Sequence, residues 1–295
     1  MNPQTFSRIA RRIALANLIT QSGIIVTGAV VRLTGSGLGC PTWPDCAPGS
    51  LLPVAGQVEG FHKFIEFGNR LLTFVVFAVA LALLIVAIIH KKRKIIVWSS
   101  LPVIGTIMQA ILGGITVLTG LNPFTVMAHF LLSIILVAIS VKIYDYFKNG
   151  KNLNPLSKLV DNYIKTITLI GFVVIVLGTI TTGAGPHSGD EIAARFELDI
   201  RVAAWLHADS VLLFLGLLIG LRIISQVDVK SKQLKPTANA LLLISVIQGV
   251  IGYSQWFTNL PWLLVSFHVI GAVITWIWIV KLSLFSGNSF LKRLK

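Results

Sequence analysis

The stretch from Glu59 to Thr73, EGFHKFIEFGNRLLT, places acidic, imidazole and guanidinium side chains directly before a long apolar run. A helix over this stretch, at about 100° per residue, would carry its polar side chains on one face. They are Glu59, His62, Glu66, Asn69, Arg70 and Thr73. Charged groups at membrane depth are costly, and by default they mark a functional site that faces the interior of a helix bundle. The alternative is a solvated helix start whose charges complement the helix dipole.

The histidines form a second group of residues that could do chemistry. Three lie within a turn or two of the expected outer end of an apolar segment, and a fourth lies just before such a segment: His129, His207, His268 and, as the fourth, His62. Facing helices of a bundle can supply two axial imidazoles to haem iron. His207 and His268 could hold one haem, and His129, with His62 or Glu66, could face a second tetrapyrrole.

Other metal chemistry fits these histidines less well. The chain has no CxxCH motif, so any haem would be bound without a covalent link. Zinc is the weaker alternative because no cluster of carboxylates or thiols accompanies the histidines.

The composition places these residues in a membrane protein. Of 295 residues, 55% are hydrophobic and only 12% are charged, and the mean hydropathy is +0.83, which is far from the balance of a soluble domain. The sequence contains eight apolar runs of about 20 residues or more, each long enough to cross a bilayer. They centre near Ile24, Val79, Ile107, Leu136, Val173, Leu215, Val246 and Val273.

The charge distribution predicts the orientation of these segments. The formal net charge is +14. With the N-terminus in the cytoplasm, the only Lys and Arg that fall outside are Arg32, Lys63, Arg70, Arg195 and Arg201. The positive-inside rule therefore predicts a multi-pass protein of the cell membrane with both termini in the cytoplasm. The basic excess indicates topology and contact with anionic lipid, and no nucleic-acid partner is expected.

The second half of the chain repeats the first. Residues 107–129 align without a gap to residues 246–268 at an offset of 139, and helices 1 and 2 align to helices 5 and 6 at offsets of 150 and 138. The paired positions include Gln109 with Gln248, Gly113 with Gly252, His129 with His268, Asn69 with His207 and Gly28 with Gly178. Both halves start inside, so the repeat is parallel, with an axis along the membrane normal.

We therefore predict an all-α polytopic membrane protein. Its eight transmembrane helices would form two pseudo-symmetric four-helix bundles, residues 1–150 and 151–295. An outer loop over residues 32–61, rich in Gly and Pro, would belong to the first bundle.

Both cysteines of the chain, Cys40 and Cys46, lie in this outer loop. Two cysteines close in sequence in an oxidising compartment favour one disulfide within the loop. A metal pair and two free thiols are the competing interpretations, although a metal site would need more ligands than the loop offers.

The chain resembles the haem A synthase family from about Arg12 to Leu284. The resemblance rests on TGAVVRLTGSGLGCPTWPDC, on IEFGNR, on the AHF of the fourth apolar segment, and on LHAD and SFH in the second half. The first motif is the most specific of these. Members of the family are eight-helix membrane enzymes that oxidise a methyl group of haem O to the formyl group of haem A.

This resemblance implies a membrane oxidoreductase of haem A biosynthesis with two haem sites. The second half would hold haem b, an electron-transfer cofactor, with His207 and His268 as its iron ligands. The first half would bind haem O near His129 and Glu66, and the Glu66 carboxylate would stabilise positive charge or take a proton during catalysis.

The resemblance also suggests roles for the outer loop and for two arginines. The cysteine pair of the family's outer loop is present as Cys40 and Cys46. Arg70 is expected to help bind the substrate, and Arg32 or Arg70 could pair with haem propionates through charge-assisted hydrogen bonds.

The chain departs from the family at Asn69. The usual first-half motif is E-x-x-H-R, whereas this chain keeps Glu66 and Arg70 and has Asn69 at the histidine position. His62 lies two turns earlier on the same face and could substitute as a ligand of haem O iron, together with His129.

The expected partners are haem O as substrate, an unidentified electron acceptor and membrane lipid, and haem O synthase and a second copy of the chain could be others. Two further functions stay open. A two-haem electron-transfer cytochrome would use the same histidines but give no role to Glu66. A transporter is less favoured, because nearly all ionisable groups lie at the helix ends rather than at mid-membrane.

Overall fold

The computed structural model describes residues 3–149 and 155–286, and within those residues the regular structure is helical. Eight long helices follow one another along the chain. They are α1 (Pro3–Leu33), α2 (His62–His90), α3 (Arg93–Leu118), α4 (Pro123–Asn149), α5 (Lys158–Ala184), α6 (Ile200–Val227), α7 (Lys235–Phe257) and α8 (Trp262–Ser283). A short 3₁₀ helix, Val229–Leu234, precedes α7. The prediction of an all-α polytopic protein is confirmed.

The helices are long and apolar enough to cross a membrane. The shortest, α8, has 22 residues and the longest, α1, has 31, so each exceeds the roughly 30 Å of a bilayer's hydrocarbon core at about 1.5 Å per residue. Large apolar side chains lie on their outer faces, such as Val250 at 63% exposure and Phe74 at 72%. A soluble protein would bury such a surface, and here it faces lipid. The chain is a multi-pass membrane protein.

The contacts between helices define two rings of four. In the first half α1 contacts α2 and α4, and α3 contacts α2 and α4; in the second half α5 contacts α6 and α8, and α7 contacts α6 and α8. The rings meet through contacts of α8 with α1 and α4, and of α4 with α5. A two-fold axis that exchanges α1 with α5 and α4 with α8 reproduces this pattern, as a parallel repeat requires.

The turns that join the third and fourth helices of each half also match. Gly120 and Leu121 have φ values of 60° and 58°, and their repeat partners Asn259 and Leu260 have 61° and 57°. The Leu121 amide donates to the Thr116 carbonyl at 2.9 Å, as the Leu260 amide donates to that of Gln255 at 2.7 Å. Two different sequences therefore adopt one turn at the offset of 139.

One apolar core joins the halves. It includes Ile134 and Val137 of α4 together with Ile167 of α5 and Phe214 of α6. The indole of Trp276 in α8 donates to the Ile134 carbonyl at 2.8 Å. The predicted boundary between residues 150 and 151 lies outside the described residues.

The outer loop covers residues 34–61, since α1 continues to Leu33 and α2 begins at His62. The prediction that Glu59 lies on the helix is wrong. Gly60 adopts a left-handed φ of +57°, a conformation that glycine reaches at no steric cost and that ends helical geometry. Glu59 therefore lies in a turn, where its carbonyl accepts a hydrogen bond from the His62 amide at 3.1 Å.

The outer loop is a packed structure. Cys40 and Cys46 form the predicted disulfide, and both are fully buried. The Trp43 indole lies directly over Gly114 of α3, where any side chain would collide with the ring. The glycine thus provides the surface on which the loop rests.

We expect the substitution Gly114→Val to displace Trp43 and loosen the loop. Overpacking of this kind costs about 1–3 kcal/mol, so the thermal midpoint in detergent should fall. A membrane-impermeant reductant should also reach the buried disulfide faster. Gly68→Ala in α2 is the control, because a Cβ there would meet nothing within 4 Å and alanine favours a helix. Equal behaviour of the two variants would contradict the packing role of Gly114.

Candidate functional site

The second group of four helices, α5 to α8, brings two histidines into contact. His207 lies seven residues after the first residue of α6, and His268 lies six residues after that of α8. Both are therefore about 10 Å inside the outer helix ends. Their ring centroids are 6.4 Å apart, and their planes are nearly perpendicular at 84°.

Glycines on the neighbouring helices give the two rings room. A Cβ at Gly178 of α5 would lie 3.1 Å from Cε1 of His207, and a Cβ at Gly252 of α7 would lie 3.4 Å from Cε1 of His268. The backbone of α8 is held beside this point by Gln248, which donates to the His268 carbonyl at 2.8 Å.

The hydrogen bonds of His207 orient its ring for metal binding. Its Nδ1 lies 3.0 Å from the Val174 carbonyl, which can only accept, so Nδ1 carries the proton and Nε2 keeps a free lone pair. Metal-binding histidines usually donate their other nitrogen to a carbonyl in this way. Nδ1 of His268 is buried and has no hydrogen-bond partner in the protein.

The pair fits a shared haem iron. Two imidazoles that bind one metal from opposite sides at about 2 Å each would have ring centroids roughly 6 Å apart, close to the distance between His207 and His268.

The first ring repeats half of this arrangement. His129 of α4 lies six residues after the first residue of its helix and packs against Gly113, where a Cβ would lie 3.3 Å from its Cε1. Gln109 donates to the His129 carbonyl at 3.0 Å, as Gln248 does for His268. Nδ1 of His129 is buried without a partner. His129 thus has the environment of His268.

No second imidazole faces His129 in the described part of the chain. The repeat partner of His207 is Asn69, seven residues after the first residue of α2. Its Oδ1 accepts a hydrogen bond from the Thr27 hydroxyl of α1 at 2.7 Å. The structure therefore pairs two histidines in one half, and places a histidine and an asparagine in the equivalent positions of the other.

His62 lies at the outer edge of this half. It is exposed, and its Nδ1 lies 2.8 Å from the Ser36 hydroxyl in the outer loop. Its carbonyl packs against Gly39, where any side chain would collide with it. The prediction that His62 binds haem O iron stays a prediction.

Glu66 and Arg70 form an ion pair that holds the outer loop, in which the carboxylate is buried and the guanidinium is partly exposed. The Arg70 guanidinium donates to Glu66 Oε1 at 2.6 Å. Glu66 Oε2 accepts the backbone amide of Cys40 at 2.6 Å, and Glu66 is 6% exposed. The carboxylate therefore connects α2 directly to the disulfide.

The remaining donors of Arg70 bind loop carbonyls. These belong to Cys40 at 2.8 Å, Thr42 at 3.0 Å, Asp45 at 3.0 Å and, more weakly, Pro44 at 3.4 Å. With its donors committed to the protein, Arg70 contributes to a site by positioning Glu66 and the loop. Its predicted pairing with a propionate would require it to give up one of these bonds.

Arg32 also binds backbone carbonyls, with two of its N–H donors. Its Nε donates to the His187 carbonyl at 2.6 Å and its Nη2 to the Thr182 carbonyl at 2.8 Å. Beside it, the Gly37 amide donates to the Gly189 carbonyl at 2.8 Å. No sequence signal indicates this connection between the two halves, because its acceptors are backbone carbonyls of residues far away in the chain.

Sequence reasoning also missed Thr27. It lies one residue before Gly28, and the repeat alignment that pairs Gly28 with Gly178 could have drawn attention to its proximity to Asn69. The threonine hydroxyl is a local feature of the first half, because its repeat position in α5 is Leu177.

Comparison with known proteins identifies relatives of the chain. Residues 11–280 match the COX15-CtaA family, described as cytochrome oxidase assembly proteins. Proteins named heme A synthase are similar to parts of the chain. That of Geobacillus kaustophilus is 33% identical over 108 residues, 36% of this chain and 32% of the relative.

A second relative extends the similarity. The heme A synthase of Listeria welshimeri is 27% identical over 176 residues, 57% of this chain and 56% of the relative. The chain's aligned regions thus span about a third to just over half of the length of these relatives. The family match covers most of the chain, including the helices that carry His129, His207, His268 and Asn69. The chain therefore belongs to the COX15-CtaA family of cytochrome oxidase assembly proteins.

Proposed function

We propose that the chain is a haem A synthase that oxidises a methyl group of haem O to the formyl group of haem A. The observation that carries the proposal is the difference between the two halves. One half pairs His207 with His268, as a resident electron-transfer haem requires, and the other has a single buried imidazole, His129, and a buried carboxylate, Glu66, on another helix. A resident redox centre beside a distinct substrate site is the arrangement that such an oxidation needs.

In this proposal the second half holds haem b. His207 and His268 would be its axial ligands, and the Val174 carbonyl would keep His207 in the tautomer that binds iron through Nε2. The haem supplies one-electron transfer. The glycines at positions 178 and 252 keep the space beside the rings free of side chains.

The first half would bind haem O with His129 as an iron ligand. Oxidation of a methyl group produces electron-poor carbon and releases protons, and a fixed carboxylate can stabilise the first and accept the second. Glu66 is positioned for this role by Arg70 and the Cys40 amide. The disulfide-bonded loop would exclude water from the site.

The partners follow from this reaction. Haem O is the substrate, and a haem O synthase would supply it. The oxygen atom of the formyl group would come from water, the protons would be released, and an electron acceptor would remove the electrons. The surrounding lipid would contact the apolar outer faces, and assembly of several copies of the chain is compatible with them. We place both termini in the cytoplasm, since Arg8, Arg11 and Arg12 lie at the first end of α1 and the pair Lys91–Lys92 joins α2 to α3.

A two-haem electron-transfer cytochrome is the second candidate function. It is favoured by the hydrogen bonds of Glu66, since both carboxylate oxygens already bind protein groups, as a purely structural residue would. The two functions differ in one product: only the synthase changes a side chain of the haem that it binds.

Alanine at His207 or His268 should remove most of the tightly bound haem b, because the iron loses one axial imidazole. Pyridine haemochrome assays on protein purified in detergent would measure the loss. His187→Ala is a matched control, since this histidine lies in an outer loop and hydrogen-bonds the Leu260 carbonyl. Unchanged low-spin spectra in both α6 and α8 variants would place the haem elsewhere.

Glu66→Gln should retain haem b, accumulate haem O or a partly oxidised form, and produce little haem A. Chromatography of haems extracted from membranes matched for protein level would measure this. Glu59→Gln is the control, because Glu59 is an outer-loop acid whose side chain contacts Gln57.

A structural role for Glu66 would give a different result. Loss of the carboxylate would leave the partly exposed Arg70 without its anion and lower the stability of the fold, so the protein level would fall while each folded molecule kept its activity. A haem A yield per folded protein close to that of the wild type would refute the catalytic role and favour the cytochrome.

The orientation of the membrane helices can be tested by labelling. Single cysteines introduced in a background without Cys40 and Cys46 should react with an impermeant maleimide in intact cells when placed at Val58 or Ile192. Cysteines placed at Lys91 or Val229 should react only after the membrane is opened. The reverse pattern would overturn the proposed topology.

A further inference from the structure

We propose that the first-half haem site has a single protein ligand, His129, and that the opposite axial position is left open beside Asn69 and Gly28 for a small neutral diatomic ligand. This inference rests on the proposed binding of haem O in the first half. The second half, by contrast, is closed on both sides by imidazoles.

The comparison of the two halves provides the first argument. In the second half the His207 ring fills the space over Gly178, and a Cβ there would lie 3.1 Å from Cε1 of the ring. At the equivalent Gly28 of α1, a Cβ would meet nothing within 4 Å. The space that an imidazole occupies in one half is therefore open in the other.

The hydrogen bonds around Asn69 provide the second argument. In the second half the Val174 carbonyl accepts from His207 Nδ1. Its repeat equivalent in α1 is the Ile24 carbonyl, which lies 3.2 Å from the Thr27 hydroxyl, and the same hydroxyl lies 2.7 Å from Asn69 Oδ1. Thr27 and Asn69 thus form a self-contained polar pair in place of the imidazole and its carbonyl.

The chemistry of the asparagine side chain provides the third argument. Imidazole is a good ligand for iron, whereas a neutral amide oxygen suits harder cations. Asn69 also has its oxygen occupied by Thr27. Its amide NH₂ group remains as a donor, suited to hydrogen-bond a small ligand rather than to bind iron.

The alternative ligand is His62, and its surroundings disfavour it. His62 is exposed, hydrogen-bonds the Ser36 hydroxyl, and has its backbone fixed against Gly39. It lies seven residues before Asn69, about 10 Å along the helix axis. To bind the same iron as His129, it would have to leave the outer loop.

Spectroscopy of the purified full-length chain with both haems bound tests this inference without turnover. We expect a low-spin signal from the second half and a high-spin signal from the first in the oxidised protein. After reduction, carbon monoxide should shift the absorption spectrum of the first-half haem alone. Two haems per chain that are both low-spin and do not bind carbon monoxide would overturn the proposal.

Exchange of the residue types at the paired positions Asn69 and His207 gives the sharpest test. Asn69→His should supply the missing imidazole, convert the first-half haem to low spin and abolish carbon monoxide binding. His207→Asn should weaken haem binding in the second half, as His207→Ala does, and the haem that stays there should be high-spin and bind carbon monoxide. Retention of the second-half low-spin signal in the Asn69→His protein shows that it has folded, and carbon monoxide binding in that folded variant would contradict the proposal.

Two further variants separate the roles of Asn69 and His62. Asn69→Ala should keep the high-spin haem but shift the stretching frequency of bound carbon monoxide, because a hydrogen-bond donor is lost. His62→Ala should leave the spin state and carbon monoxide binding as in the wild type. A change of either in the His62 variant would identify His62 as a ligand and overturn the single-ligand site.

These outcomes are distinct from those that test the proposed function. A high-spin first-half haem O that binds carbon monoxide but is never oxidised would refute the synthase and leave the single-ligand site standing. A protein that holds only one haem per chain, lost in His207→Ala but kept in His129→Ala, would refute the first-half site itself.

Discussion

An imidazole side chain can fit inside a closely packed bundle of four helices only where the facing helix carries a glycine. This constraint recurs at three positions, where Gly113, Gly178 and Gly252 lie against the rings of His129, His207 and His268. The fourth glycine of the set, Gly28, has no ring against it. The positions of the histidines, the close approach of the helices and the difference between the halves all follow from this pairing of glycine with histidine.

The outer loop depends on a second interaction, the ion pair of Glu66 and Arg70. A buried carboxylate and guanidinium need their remaining hydrogen-bonding groups satisfied, and here the loop backbone supplies them. Glu66 receives the Cys40 amide, and Arg70 donates to a cluster of loop carbonyls. The two charged groups that the sequence indicates as candidate site residues therefore also hold the loop over the first half.

Most of the fold could be predicted from the hydrophobic segments of the sequence and from its internal repeat. Eight apolar runs predicted the eight helices, and the alignment of residues 107–129 with residues 246–268 predicted an internal repeat. The structure adds that Gln109 and Gln248 make equivalent hydrogen bonds at paired positions. The start of α2 was placed too early, because Gly60 ends helical geometry where the polar pattern continues. The disulfide of Cys40 and Cys46 was predicted correctly, since no other thiol exists in the chain.

The candidate site was less accessible to sequence reasoning. The pairing of His207 with His268 could be expected from their matching depth, and the structure places the two rings in contact. The contacts of Arg32 and Arg70 could not be expected, because their partners are carbonyls that every residue possesses and only the folded loop brings them near. The position of Thr27 beside Asn69 depends on the packing of α1 against α2, which periodicity does not specify.

The bonds of Arg32 have a mechanical consequence. Arg32 lies in the last turn of α1, in the first half, but donates hydrogen bonds to the carbonyls of His187 and Thr182 in the second half. The Gly37 amide adds a hydrogen bond to the Gly189 carbonyl. These hydrogen bonds connect the outer ends of the two four-helix halves. A hinge motion that opened one half alone would have to break these hydrogen bonds, so we expect the outer ends of the two halves to move together.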